Sequence, residues 1–83
     1  MDKNYIVYGA RWCEYCCMAI ELLESRSLNY FFADLSDKED FLREVKSYYA
    51  SPTIPIVLSY DASGGKVTKL GGFSDLKESL ESD

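Results

Sequence analysis

Three cysteines crowd into five positions, Cys13-Glu14-Tyr15-Cys16-Cys17, shortly after the apolar run Tyr5-Ile6-Val7-Tyr8 and its closing Gly9. That run is β-branched and aromatic and predicts a strand. Residues 13 to about 25 predict a helix. A C-x-x-C at a strand-to-helix turn in a βαβ pattern is a redox motif. Cys13 falls at the helix start, where unpaired backbone N–H groups and the helix dipole favour an anion. Thiols in such motifs ionise at pKa values of about 3.5–7.5. The thiolate is the form that attacks a disulfide sulfur. Two intervening residues let the second thiol reach the first across one helical turn. At about 100° per residue, Cys16 falls with Ala19, Ile20 and Leu23 on the apolar side, as a sheltered resolving thiol. Cys17 falls further round, near Glu21 and Glu24, where carboxylates oppose ionisation.

The rest of the chain alternates strand and helix. Leu28 to Leu35 predicts a second strand. Over residues 37–49, Phe41, Leu42, Val45, Tyr48 and Tyr49 share one face of a helix. Ser36 with Glu39 matches a capping box at its start, and Ser51-Pro52 stops it. Pro55 to Tyr60 and Lys66 to Leu70 flank the turn-forming run Asp61-Ala62-Ser63-Gly64-Gly65, which predicts a hairpin. After Gly71-Gly72, Phe73, Leu76 and Leu80 mark a short amphipathic helix with Ser74 as its N-cap. The order is β-α-β-α-β-β-α, with the first two strands parallel through a helical crossover and the last two antiparallel.

Eighty-three residues make a single domain, 1–83. The formal net charge of −5 disfavours nucleic-acid binding, which rests on neutralising phosphates. With no histidine, the chain lacks an imidazole base and any His metal ligand. Three cysteines fall short of the four ligands of a closed zinc site. The apolar stretch near the N-terminus is too short for a signal-peptide core or a membrane span. The expectation is a soluble, cytoplasmic monomer.

Three motifs carry a resemblance to the glutaredoxin family, within the thioredoxin fold: Cys13-Glu14-Tyr15-Cys16, similar to C-P-Y-C; Thr53-Ile54-Pro55, similar to T-V-P; and Leu70-Gly71-Gly72-Phe73-Ser74-Asp75-Leu76, similar to I-G-G-x-x-D-L. The resemblance covers nearly the whole chain. It implies an α/β, thioredoxin-like four-stranded mixed sheet flanked by helices. It also implies a disulfide oxidoreductase reduced by glutathione, acting on glutathione mixed disulfides and protein disulfides, ribonucleotide reductase among the candidate partners. Cys13 would be the nucleophile and Cys16 the resolving thiol. Tyr15, Thr53, Ile54 and a cis Pro55 would line the glutathione groove. Gly72, Phe73, Ser74 and Asp75 would hold the γ-glutamyl end, since helix N–H groups suit its carboxylate and the Asp75 side chain suits its ammonium.

Two positions depart from the family pattern. Ala10 stands where the family has Lys or Arg, with Arg11 one step later, still a candidate for the glycyl carboxylate or for steadying the thiolate. Glu14 replaces the motif's proline and puts a like charge beside Cys13. Family members lacking that proline include dimers that bridge a [2Fe–2S] cluster through the nucleophilic cysteine and glutathione. Cluster carriage, with Cys13 as ligand, therefore stays open, as does reduction by thioredoxin reductase.

Overall fold

A computed structural model describes residues 3–82. Strand β1 (Lys3–Gly9) leads into helix α1 (Glu14–Ser25), strand β2 (Asn29–Asp34) and helix α2 (Glu39–Tyr48). Strands β3 (Ile56–Asp61) and β4 (Lys66–Gly71) and helix α3 (Phe73–Ser82) follow. The sheet order is β2-β1-β3-β4. β1 and β2 run parallel and β3 and β4 antiparallel, as the element order predicts, and β3 also pairs antiparallel with β1.

Alternation along β1 sends successive side chains to opposite faces. Tyr5 and Val7 join Ala19, Leu23, Val57, Leu76 and Leu80 in a core between the sheet and the α1/α3 pair. Tyr8 turns the other way and packs with Ile54 and Tyr49 against Leu35, Leu42, Val45 and Ile56, under α2. The apolar face of α2 is therefore split. Leu42 and Val45 are buried, while Phe41 and Tyr48 lie outward, Tyr48 at 81% exposure.

Local capping departs from expectation at two helix starts. α2 has Lys38 at its N-cap with no side-chain cap bond. Ser36 does not cap it, because its hydroxyl and N–H both donate to Asp34. Ser74 lies inside α3, which starts one residue earlier. There the Asp75 carboxylate reaches back to accept the Gly72 N–H at 2.9 Å, the returning half of a capping box. The hairpin turn forms as expected: the Asp61 carboxylate accepts from Ser63 N–H (3.1 Å) and from its hydroxyl (2.8 Å), and Gly65 takes φ +68°. Among the described residues no helix is long and apolar enough to cross a membrane.

Candidate active site

Cys13 is the N-cap of α1, in extended backbone, and its Sγ accepts the Cys16 N–H at 3.3 Å. Sulfur thus takes the place that a Ser or Asp oxygen fills at other helix starts. The Sγ also lies 3.8 Å from the carbonyl oxygen of Ile54, in the segment leading into β3. The Ile54–Pro55 peptide bond is cis, as the resemblance implies.

The three thiols are sorted by burial: Cys13 half-buried, Cys16 buried, Cys17 exposed. Cys16 has no exposed surface. Burial is the main cause that pushes its pKa up from 9.0 to about 12, and a thiol hydrogen bond to Cys13 adds to it. Cys16 is therefore a neutral thiol at pH 7. Cys17 leans its Sγ on the Arg11 carbonyl at 3.6 Å.

Beside Cys13 opens a groove of about 580 Å³. Tyr15, Thr53, Ile54, Pro55, Gly72, Phe73, Ser74 and Asp75, all singled out from the sequence, line it. Tyr15 and Phe73, both lining it, pair with ring centroids 6.2 Å apart, so the starts of α1 and α3 meet at the groove. Gly71 permits the close turn into α3. It has φ +123°, and a Cβ there would overlap the Asp75 carboxylate.

Arg11 is not brought to this groove. Its Nε pairs with Asp34 at 2.9 Å, a terminal nitrogen reaches Asp37 at 3.3 Å, and its N–H donates to the Ser36 hydroxyl. The Ser36 hydroxyl, then its N–H, then Arg11 hold the Asp34 carboxyl below its ordinary pKa. Conversely, Ser51, Lys69, Leu70 and Gly71 line the groove without having been singled out as site residues. Lys69 had only its nearness to the Gly-Gly pair as a signal. Its ammonium reaches the Tyr49 carbonyl at the end of α2, and that long-range approach of α2 and β4 is not encoded in the local pattern. Among the described residues, no group of three or more cysteine or carboxylate side chains is placed to hold a metal ion.

A parallel–antiparallel four-stranded sheet, a C-x-x-C at the first helix start and a cis proline facing it define a thioredoxin-fold disulfide oxidoreductase. A model of the glutaredoxin family matches residues 5–60, and the chain belongs to that family of thiol–disulfide oxidoreductases. The matched span holds the cysteines and Thr53-Ile54-Pro55, while Gly71–Asp75 lies beyond it. Solved structures with the same fold include buckwheat glutaredoxin in complex with glutathione, at 20% identity and TM-score 0.74, covering 96% of this chain and 70% of that one. Glutaredoxin 1 of Francisella tularensis aligns at 20% identity and TM-score 0.72, covering 96% and 94%. Glutaredoxin from Brucella melitensis aligns at 20% and 0.68, covering 95% and 79%. No curated protein matches the sequence.

Proposed function

We propose that the protein uses glutathione to reduce glutathione mixed disulfides and protein disulfides, with Cys13 as nucleophile and Cys16 as resolving thiol. The observation that carries this reading is the placement of Cys13 Sγ on the Cys16 N–H, 3.8 Å from the carbonyl oxygen of Ile54, a residue that lines the groove. An anion there is met by the open end of α1.

In the first step the Cys13 thiolate attacks the glutathione sulfur of a mixed disulfide. The old S–S bond breaks and the substrate leaves as thiolate. A glutathione thiolate then attacks the sulfur of glutathione bound to Cys13, releasing glutathione disulfide and restoring Cys13. With a protein disulfide, the Cys13 thiolate attacks one sulfur and releases the first protein thiol; Cys16 then gives up its proton and attacks Cys13 Sγ. The second protein thiol is released and a Cys13–Cys16 disulfide remains for glutathione to reduce. Glutathione would lie with its cysteine along the Ile54 backbone, against Tyr15 and beside Thr53 and Pro55. Its γ-glutamyl end would lie over Gly72, Phe73, Ser74 and Asp75, where α3 offers free N–H groups. The buckwheat glutaredoxin of the same fold was solved with glutathione, which supports this choice of reductant.

Turnover of a glutathione mixed disulfide, coupled to NADPH and glutathione reductase, tests the reading. The wild type should be active, Cys13→Ser inactive, and Cys16→Ser active on the mixed disulfide but not on protein disulfides. A wild type inactive with glutathione yet reduced by thioredoxin reductase would move the protein to that electron donor.

A further inference from the structure

We infer that Lys69 makes the groove selective for glutathione, by receiving the glycyl carboxylate; this rests on the proposed use of glutathione. The groove's charged residues are few. Among the described residues that line it, Lys69 is the one cation and Asp75 the one carboxylate, and Asp75 is engaged with the Gly72 N–H. A substrate anion entering the groove therefore has one side-chain charge to meet.

Lys69 is exposed, yet its ammonium has a defined place. It donates to the Tyr49 carbonyl at 2.7 Å, at the C-cap of α2, where helix carbonyls carry partial negative charge. An ammonium has three N–H donors, so that bond leaves two for a carboxylate. The other candidates are absent from the groove. Arg11 is held by Asp34 and Asp37, and position 10 is a fully buried alanine.

Placement along the groove selects the carboxylate. α3 packs on one face of the sheet and α2 on the other. With the γ-glutamyl group at the start of α3 and the cysteine at Ile54, the remaining residue of the tripeptide extends toward the α2 side. Tyr49 holds the Lys69 ammonium there.

The test is the thiol–disulfide exchange equilibrium of Cys13 in the full-length Cys16→Ser protein, read by mass spectrometry. The competing thiols are glutathione, its glycine monoethyl ester and 2-mercaptoethanol. Lys69→Met should lower the preference for glutathione over 2-mercaptoethanol about fivefold at low salt, the upper range for an exposed ion pair. With Lys69 present, the ester should already show that loss. With Lys69→Met the ester should lose nothing more, and Lys69→Arg should retain the preference. Equal weakening of glutathione and ester, or no change with either, would overturn the assignment to Lys69 while leaving glutathione use standing. If the protein with Lys69 favours neither glutathione nor its ester over 2-mercaptoethanol, both readings fall.

Discussion

Cys16 and Gly9 meet where β1 hands over to the α1 loop, and their contact sets how closely helix and strand approach. A Cβ at Gly9 would overlap the Cys16 Sγ and would stand 3.1 Å from its Cβ and 3.4 Å from the Phe32 ring. Both thiol and ring sit in packed surroundings, so neither yields cheaply. Gly9→Ala should lower stability by about 1–3 kcal/mol, the usual cost of overpacking, read as a drop in the urea midpoint of the reduced protein. Adding Cys16→Ala should recover part of that loss, because residues in contact do not contribute additively. Strictly additive losses would mean that the strain lies elsewhere. Helical rotation alone predicts that Cys16 is the sheltered thiol. Gly9, by contrast, looks only like a strand end, because its partner lies on the next element and the contact forms on folding.

α1 and α2 end in the same way. After α1 the N–H groups of Ser27 and Leu28 donate to Glu24 and Leu23, and after α2 those of Ala50 and Ser51 donate to Ser47 and Lys46. These are Schellman caps, with Ser27 (φ 56°) and Ala50 (φ 53°) in the left-handed position. A Cβ there costs about 1–2 kcal/mol, whereas glycine's extra freedom when unfolded costs about 0.4–1 kcal/mol. Ala50→Gly should therefore gain roughly 0.5–1 kcal/mol, raising Tm by several degrees in a thermal melt. A lower Tm would show that the left-handed residue is not strained. Periodicity and turn residues locate all seven elements to within a few positions. The caps escape such a reading because no glycine marks either end. Ser36 matches a capping pattern, yet the loop folds it back onto Asp34, and local spacing cannot register that competition.

At the scale of the whole molecule, the site is a junction of chain segments distant in sequence: the α1 start, the loop before β3 and the turn into α3. Their motifs are legible because each carries a distinctive residue, a cysteine, a proline or a glycine pair. The diversion of Arg11 to Asp34 and the arrival of Lys69 are not legible, since both depend on which loops and strands become neighbours. The same assembly distributes titratable groups so that both limbs of the pH–stability curve have named causes. Asp34 and Asp61 are held below their ordinary pKa, chiefly by the hydroxyls of Ser36 and Ser63. Their contribution is present above the unfolded carboxylate value of about 3.9 and is lost as pH falls through the lower folded values. Cys16 is raised from 9.0 to about 12; its contribution is full below pH 9 and is lost as pH rises toward 12. Tyr30 is also raised, first by its bond to Glu24, and Tyr49 by burial, so they weaken the fold from about pH 10 upward. Unfolding free energy of the reduced protein, followed by urea titration, should therefore begin its alkaline decline near pH 9. In Cys16→Ala the curve should sit lower at neutral pH but stay level until about pH 10, where the tyrosines take over. Parallel alkaline slopes in the two proteins would show that Cys16 ionises as readily folded as unfolded, and would remove it from the buried, proton-retaining role.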